Sequence, residues 1–454
     1  MSRRVIALLL ALLPCLLVVG GGPAVPWKPR LIVLLAIDTL RSDRVGAYGC
    51  ARDTTPFLDE MAAGGVVFEN AFSQANTTLQ SFATVFTGRL QPAFSPHDPA
   101  KEAWRLPSEQ PLLAGLLAAR GYRTVASVAG GHLRSQFGFS RGFERYVERN
   151  DFDSFHNTMP IALEMVDEAA RGTTPTFLFV HGYDVHNPYH KPLTFDHLFD
   201  PSYDGLGETI CRLKSPIITD GWYCGYRGRG MVSVNPTRVT APDAEHIRAV
   251  YDGALRYADV RVGELLARIR TQGLERDTLV VVMGDHGEQL LETGHLGHDI
   301  GLDDRETHVP LVMWAPGHLP AGRRVSSVVE LLDVLPTLLE VVGAEAPREA
   351  EGRSLLGLAR GAEDGSADRA AIASSARVAS LRDARFRYVE ALPGATAEPG
   401  PPLACGLFSA ADPSSQRDLT NVPGNREVVE AFHRRLFRRL EGSPVGTRSG
   451  PAGR

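Results

Sequence analysis

Continuous apolar runs of strand length recur along this chain, separated by segments with helical spacing. The runs occupy residues 31–37, 66–68, 124–128, 176–180, 278–283 and 310–314. Strands that carry apolar side chains on both faces are typical of a parallel sheet covered by helices on both sides. The pattern therefore predicts a central, mostly parallel β-sheet.

Between these runs, apolar residues recur every three or four positions, as they do on one face of a helix. The predicted helices span residues 56–64, 81–86, 112–120, 161–170, 244–271 and 333–342. Alternating strands and helices indicate an α/β fold, so we expect helices to flank the sheet. The segment 203–236 is rich in glycine, proline and aromatic residues, which predicts a loop-like insertion over one rim of the sheet.

The composition changes after Gly343, where the apolar runs become short. We expect a catalytic domain at 30–345, a smaller C-terminal α+β subdomain at 346–441 and a loose tail at 442–454. Within the subdomain, strand patterns at 378–381 and 386–389 are close enough to pair as a hairpin. Residues 427–440 have the spacing of a terminal amphipathic helix.

The amino terminus has the layout of a secretory signal. Arg3 and Arg4 precede an apolar run at residues 5–19, and small residues follow it. Residues 1–25 are therefore expected to be a signal peptide or, because the run is only somewhat shorter than a membrane span, a membrane anchor. We expect an exported protein, periplasmic, extracellular or membrane-anchored, that meets a membrane only through this segment.

The composition limits the kinds of molecule that the protein is expected to bind. The 454 residues are 43% hydrophobic and 22% charged, which is ordinary for a globular protein, and the formal net charge is -5. Because the chain has no basic surplus, binding to nucleic acid has no electrostatic support. The chain has five cysteines. Cys211 and Cys224 could close a disulfide loop in an exported protein.

Polar residues follow two of the predicted strands at their carboxyl ends. Asp38 follows the first strand, and the pair Asp285 and His286 follows the strand at 278–283. Ligands of open α/β sheets bind outside these strand ends, so we expect the three side chains to form one divalent metal site. Carboxylate and imidazole ligands together suit Zn²⁺ or Mn²⁺ better than Ca²⁺, which prefers oxygen. The hydroxyl-rich turn at 76–89 could bring an alcohol nucleophile to the same metal.

These residues belong to a longer set of motifs that resembles the sulfatase branch of the alkaline phosphatase superfamily, from about residue 31 to residue 421. In family order, the matching segments are IDTLRSD at 37–43, TPFLD at 55–59, FENA at 68–71, TGR at 87–89, HGYDVHNPY at 181–189, GDHGE at 284–288, VPL at 309–311 and DVLPT at 333–337. The resemblance implies the α/β fold of that superfamily, with a smaller C-terminal subdomain, and ester hydrolysis at a metal site.

The chain departs from the sulfatase pattern at the nucleophile turn. Counting back from the TGR segment places Thr78 where sulfatases have the Cys or Ser that is oxidised to formylglycine, and Phe82 where they have Arg. Threonine carries a methyl group and cannot give that aldehyde, so the hydrated-aldehyde route is closed. Thr39 stands where many sulfatases have a second metal-binding Asp, which again disfavours Ca²⁺. A plain Thr78 alkoxide is similar instead to the phosphodiesterase and the phosphoethanolamine or glycerol-phosphate transferase branches.

The resemblance also implies roles for residues around the site. His186 and His298 are candidates to protonate the leaving group or to stabilise the oxyanion, and His295 is a candidate for substrate binding. Any of the three could instead bind a second metal ion. Arg41 could contact substrate oxygens with two guanidinium nitrogens. His181, at the end of a strand, could cap that strand.

Together these observations predict an exported, metal-dependent hydrolase, or a transferase, of phosphate or sulfate esters. Thr78 is the expected nucleophile, and phosphodiester or phosphoester substrates are favoured. The substrate is expected to be a small-molecule, glycan or lipid ester. Two alternatives stay open: a sulfuric ester hydrolase of the arylsulfatase kind, and a non-catalytic binding protein on a sulfatase scaffold.

Overall fold

The computed structural model of this protein describes residues 27–92, 103–149, 152–213, 216–219, 221–226, 232–299, 301–362, 369–392, 405–413 and 417–441. The predicted signal or anchor segment at 1–25 and the predicted tail at 442–454 lie outside these residues. Within the described part of the chain, no helix has both the length and the apolar character that crossing a membrane requires.

A nine-stranded mixed sheet forms the centre of the molecule. The strands, labelled in chain order, are β1 Leu31–Ile37, β2 Val66–Phe72, β3 Arg123–Val128, β4 Arg145–Glu148, β5 Thr176–Gly182, β6 Pro216–Thr219, β7 Trp222–Tyr226, β8 Val232–Arg238, β9 Thr278–Gly284, β10 Gln289–Leu290, β11 Leu296–Gly297, β12 His308–Val309, β13 Leu311–Trp314, β14 Arg323–Glu330, β15 Ala371–Ser374, β16 Val378–Arg382, β17 Phe386–Ala391 and β18 Gly406–Ser409. The order in the central sheet is β12-β2-β13-β9-β1-β5-β3-β4, and β14 pairs with β2.

The five neighbouring strands β9, β1, β5, β3 and β4 run parallel. Alternate side chains of β1 enter two separate hydrophobic clusters: Ile32 and Leu34 pack into one, and Val33 and Leu35 pack into the other. Burial on both faces explains the continuous apolar runs, and the predicted α/β fold with a mostly parallel sheet is confirmed. The strand predicted at 310–314 is present as β13, but it runs antiparallel to β9 because the chain reverses without a crossover helix.

Helices cover both faces of the sheet. In chain order they are α1 Pro56–Ala63, α2 Thr78–Thr87, α3 Leu113–Ala118, α4 Phe155–Arg171, α5 Leu193–Asp196, α6 Leu206–Arg212, α7 Ala241–Thr271, α8 Asp304–Thr307, α9 Val334–Val341, α10 Leu356–Arg360 and α11 Arg426–Leu440. The long helix α7 begins with a capping box formed by Thr240 and Asp243. Its buried face packs into the same cluster as Val33 and Leu35.

The insertion predicted as a loop at 203–236 contains regular structure, so that prediction is wrong. Helix α6 is followed by an antiparallel sheet of β6, β7 and β8. Strands β6 and β7 have only four and five residues, and each of the three strands contains a glycine or a proline, which hides the alternation that marks a strand. Cys211 in α6 is buried and is a free thiol, so the predicted Cys211–Cys224 disulfide is not formed.

The C-terminal part of the chain forms a four-stranded antiparallel sheet, β15-β16-β17-β18, covered by helix α11. The predicted hairpin and terminal helix are both confirmed. Asp304 joins this small sheet to the central domain, because its Oδ1 accepts hydrogen bonds from the guanidinium groups of Arg382 and Arg387. Ser374 on β15 donates its backbone N–H to Gln74 O at 3.0 Å, just before the nucleophile turn. The small sheet therefore supports the segment that carries Thr78.

Candidate active site

The three predicted metal ligands meet at the carboxyl ends of two neighbouring strands. β1 and β9 are paired in parallel with Ile37 opposite Gly284, so the next residue on each strand is Asp38 or Asp285. The side chains of Asp38, Asp285 and His286 are fully buried. One ligand atom from each lies within 4.8 Å of the others. The sheet register thus brings together residues that are about 250 positions apart in sequence.

Local hydrogen bonds orient each of these ligands. Asp285 Oδ1 accepts the backbone N–H groups of Thr39 at 3.0 Å and His286 at 2.8 Å. His286 Nδ1 lies 2.9 Å from Gly287 O, so this nitrogen carries the proton and Nε2 presents a lone pair. Asp38 Oδ1 and Asp285 Oδ2 are buried and accept no hydrogen bond from the described residues. Two carboxylate oxygens and one imidazole nitrogen fit a divalent ion such as Zn²⁺ or Mn²⁺.

The electrostatics of the site also call for a cation. Burial raises the pKa of Asp38 to about 7, against the smaller opposing effects of His298 and nearby hydrogen bonds. Burial and then the neighbouring charge of Asp38 raise the pKa of Asp285 to about 7. Burial lowers the pKa of His286 to about 4, so the imidazole is neutral at neutral pH and free to bind a metal. Two adjacent buried carboxylates are stable in ionised form only when positive charge is placed between them.

Thr78 lies beside two of the predicted metal ligands. It is the first residue of α2, and its hydroxyl Oγ1 lies 3.2 Å from Asp38 Oδ2 and 3.3 Å from His286 Nε2. Ser81, one turn later, donates its hydroxyl to Asp285 O at 2.7 Å and holds the helix against the end of β9. The hydroxyl of Thr78 also lies at the positive end of the helix dipole, which favours its deprotonation. The structure therefore brings a hydroxyl group to the predicted metal.

His186 and His298 form a pair at the mouth of the site, with their Nε2 atoms 3.3 Å apart. His186 Nδ1 lies 2.6 Å from Asn187 O, and His298 Nδ1 lies 3.1 Å from Asn76 O. Each Nδ1 must therefore carry a proton, and the two Nε2 atoms can form a hydrogen bond only if one of them is protonated as well.

Histidine 298 is the protonated member of that pair. Burial alone would lower the pKa of His298, but the hydrogen bond and charge of Asp299, with Glu288 and Asp38, outweigh it and raise the pKa to about 9. Burial and the charge of His298 lower the pKa of His186 to about 3. At neutral pH, His298 therefore carries one positive charge and a proton directed along Nε2.

Arg41 is engaged inside the protein. Its guanidinium donates to both carboxylate oxygens of Asp43 at 2.9 and 2.7 Å, to Glu292 Oε1 at 2.7 Å and to Glu288 O at 3.1 Å. These bonds use most of its N–H groups, which argues against the predicted contact with substrate oxygens. His295 lies in the turn between β10 and β11, and its role stays a prediction.

Sequence reasoning gave His181 only a strand-capping role and missed two tyrosines around the site. His181 contacts Asp38, and burial lowers the pKa of His181 to about 4. Tyr183 packs edge-on against the rings of His181 and His186, with centroids 4.7 and 5.5 Å apart. Tyr251 on α7 donates its hydroxyl to Thr39 O at 2.8 Å. Tyr183 lies inside the HGYDVHNPY motif, so the motif could have identified it. Tyr251 follows the apolar spacing of a core helix, and nothing in the sequence distinguishes it from the other core residues of that helix.

Comparisons with known proteins give this site a family context. The family model described as Sulfatase matches residues 30–344, which is more than half of the chain. Arylsulfatase K from Canis lupus familiaris is 24% identical over 380 residues, covering 75% of this chain and 67% of that protein. Delta 4,5-hexuronate-2-O-sulfatase from Bacteroides thetaiotaomicron is 23% identical over 372 residues, covering 75% of this chain and 74% of that protein.

Solved structures share the fold. The phosphonate monoester hydrolase of Agrobacterium radiobacter matches with a TM-score of 0.71 and 21% sequence identity, over 91% of this chain and 96% of that chain. A protein solved in complex with its substrate D-glucosamine-2-N,6-O-disulfate matches with a TM-score of 0.71 and 17% identity, over 91% of this chain and 98% of that chain. At these identities the likeness concerns the fold, and the reaction has to be argued from the site.

Proposed function

This chain belongs to the sulfatase family, and from that premise we propose that it is a metal-dependent ester hydrolase whose nucleophile is Thr78 and whose favoured substrates are phosphodiesters. Asp38, Asp285 and His286 would hold the divalent ion. The observation that carries the proposal is the position of the Thr78 hydroxyl, 3.2 Å from Asp38 Oδ2 and 3.3 Å from His286 Nε2. A hydroxyl is thus present where the family has its formylglycine, in a residue that cannot form the aldehyde.

The residues present can carry out each proton transfer. A divalent ion bound to the three ligands would supply the positive charge that stabilises an alkoxide and the oxygens of the ester. Thr78 Oγ1 attacks phosphorus as its proton passes to Asp38 Oδ2, and the bond to the leaving alcohol breaks. His298, hydrogen-bonded to His186, gives its Nε2 proton to the leaving oxygen. Water, or an acceptor alcohol, then attacks the phosphothreonine and gives its proton to His298 Nε2, while the bond from Thr78 Oγ1 to phosphorus breaks and Asp38 returns its proton to Oγ1.

The charge of the site supports a singly charged ester. A divalent ion would offset the two carboxylates of Asp38 and Asp285, and Asp299 partly offsets the positive charge of His298, so the site has little surplus positive charge to hold a doubly charged ester. Phe82 occupies the position of the family's Arg, and Arg41 is neutralised by Asp43 and Glu292. A phosphodiester carries one negative charge at neutral pH, whereas a phosphate monoester carries nearly two. We therefore expect diesters to be turned over faster than monoesters.

Hydrolysis of sulfate esters is the second candidate, because the relatives above are named as sulfatases. A sulfate monoester also carries one negative charge, so charge does not separate it from a phosphodiester. The chemistry of the nucleophile does distinguish the two classes of ester. A formylglycine hydrate has a second hydroxyl on the carbon that bears the sulfate and can expel it, whereas Thr78 has a methyl group there. A third possibility, a non-catalytic binding protein, predicts no turnover of any ester.

The test is a parallel assay of bis(nitrophenyl) phosphate, nitrophenyl phosphate and nitrophenyl sulfate with the purified, metal-loaded protein. Thr78→Val keeps the shape of the side chain and removes the hydroxyl, so it should lower kcat for the diester at least about 1000-fold. Thr78→Ser keeps the hydroxyl and should stay active. Thr84→Val is the matched control, because Thr84 lies in the same helix and is fully buried.

Retention of more than a tenth of the activity by Thr78→Val would remove Thr78 from the mechanism. A preference for nitrophenyl sulfate would overturn the choice of substrate class. Absence of turnover with all three esters, together with full metal content, would favour the binding protein.

A further inference from the structure

A fourth buried side chain touches the predicted metal site, and the proposed reaction gives it no role. His181 is the next-to-last residue of β5, and its register partner on β1 is Ala36, two residues before Asp38. Its side chain is fully buried, and its Nε2 lies 3.3 Å from Asp38 Oδ2. We propose that His181 is a positioning residue that donates its Nε2–H to Asp38 Oδ2 and turns Oδ1 of that carboxylate toward the metal. This inference rests on the proposed role of Asp38 as a metal ligand.

The hydrogen-bond partners of the two ring nitrogens determine the tautomer of His181. A carboxylate only accepts hydrogen bonds, so Nε2 must carry the proton that joins it to Asp38. His181 Nδ1 is buried and finds no partner among the described residues. The rings of Phe82 and Tyr183 stand edge-on against the imidazole, with centroids 5.2 and 4.7 Å away. A second proton on Nδ1 would have no acceptor in this apolar surrounding, so the imidazole is the neutral Nε2–H form.

The two oxygens of Asp38 then have different tasks. Oδ2 accepts from His181 and from the Thr78 hydroxyl, which lies at 3.2 Å. Oδ1 is buried and accepts no hydrogen bond from the described residues. Two donors on one oxygen hold the carboxylate in a single orientation, and the second oxygen is left for a cation. Hydrogen bonds of this kind to a metal ligand commonly contribute 10- to 100-fold to metal affinity.

The same contact explains why a large aromatic ring is accepted at position 82. Where the family pattern has an arginine, this chain has Phe82, which is fully buried and packs against both His181 and Phe179. A neutral imidazole orients Asp38 without adding positive charge, and the ring of Phe82 packs edge-on against that imidazole. Phe82 and His181 therefore form one packing unit beside the metal ligand.

Metal binding by the chelator-treated protein tests this inference without any measurement of activity. Zn²⁺ and Mn²⁺ are titrated separately into the wild type, His181→Leu, His181→Gln and His181→Asn, and binding is followed by calorimetry. His181→Leu should weaken metal binding about 10- to 100-fold. His181→Gln should stay within a few-fold of the wild type, because the amide nitrogen of Gln reaches the position of the histidine Nε2. His181→Asn carries the same amide on a shorter side chain and should bind as weakly as His181→Leu.

The control is His308→Gln, the same chemical change at a histidine that contacts Glu69 O on β2 at 2.8 Å. It should leave metal affinity unchanged. Wild-type metal affinity in folded His181→Leu would overturn the inference, and so would equal affinity in His181→Gln and His181→Asn. If His181→Leu does not fold, the comparison of the Gln variant with the Asn variant still tests the inference. Asp38→Ala separates the two proposals: if it binds metal as tightly as the wild type, the proposed metal site itself fails.

Discussion

Substitution of Asp38, a proposed metal ligand, is expected to stabilise the metal-free protein. Asp38 is fully buried, and burial raises its pKa to about 7. An unfolded aspartate has a pKa of about 3.9. Because the folded value is the higher one, Asp38 favours the folded state only while it is protonated, below about pH 4. This contribution is lost as the pH rises toward 7. Asp38→Asn removes the ionisation and should therefore stabilise the metal-free protein at high pH.

The magnitude follows from the difference of about 3 pKa units. At about 1.4 kcal/mol for each unit, the ionisation of Asp38 costs at most about 4 kcal/mol at pH 8, of which about 1.4 kcal/mol has already been lost at pH 5. The stability advantage of Asp38→Asn over the wild type should thus grow by about 3 kcal/mol between pH 5 and pH 8. This is an upper bound, because Asp285 shares the same site. With an unfolding entropy of about 2.1 cal/mol/K per residue over roughly 400 residues, it corresponds to a rise in Tm of about 3 to 4 °C.

Thermal unfolding in the presence of EDTA at pH 5 and pH 8 measures the effect. Asp38→Asn should unfold about 2 °C above the wild type at pH 5 and about 5 °C above it at pH 8. Saturating Zn²⁺ should reverse the order, because the metal stabilises the wild type through its ligands. Asp43→Asn is the control of opposite sign: burial would raise the pKa of Asp43, but Arg41 outweighs it and lowers the pKa, so its loss should destabilise the protein.

The reasoning is refuted if Asp38→Asn in EDTA is no more stable than the wild type at pH 8. It is also refuted if Zn²⁺ raises the Tm of both proteins equally. Comparing variant with wild type at each pH is essential, since other buried carboxyls, such as Asp259 and Glu306, also have a pKa raised by burial and add to the pH dependence of both proteins.

Two further predictions concern the supports of the site. Tyr251→Phe removes the hydroxyl that holds Thr39, whose φ of 54° is strained for a β-branched residue, and should lower the free energy of unfolding in urea by about 1 to 3 kcal/mol. Tyr257→Phe on the same helix should cost less, because the hydrogen-bond partners of that hydroxyl are the side chains of His156 and Arg261 and not the backbone next to Asp38. Asp304→Asn leaves the buried guanidinium of Arg382 without its carboxylate and should cost about 3 to 5 kcal/mol, with faster proteolysis of the C-terminal sheet; an unchanged proteolysis rate would contradict this.

The hydrophobic pattern was sufficient to predict the core of the fold. The continuous apolar run of β1 identified a strand buried on both faces, and the two clusters on either side of it confirm that reason. The antiparallel direction of β13 and the small sheet of β6 to β8 were not predictable in the same way. Strand direction depends on how the connecting segment returns to the sheet, and short strands with glycine and proline carry too little alternation to be read.

The site was predictable where a rule links sequence to position. Asp38 and Asp285 each follow a parallel strand, so the topology alone predicts that they meet at one edge of the sheet. Arg41 shows the limit of such rules. Its motif suggested a substrate ligand, yet its guanidinium binds Asp43 of the same motif and Glu292 from a loop about 250 residues away, and no local pattern encodes the approach of that loop.

By itself, the sequence determined the fold class, the donor types at the strand ends and the presence of a threonine, which cannot form the aldehyde, at the predicted nucleophile position 78, because each depends on local spacing or on the chemistry of one side chain. Only the tertiary structure decided that the Thr78 hydroxyl faces both Asp38 and His286, that His186 and His298 share a hydrogen bond, and that His181 holds Asp38. These contacts join segments from about 40 to about 210 residues apart. Their distances of about 3 Å are set by helix packing and strand register, which emerge only when the whole chain is folded.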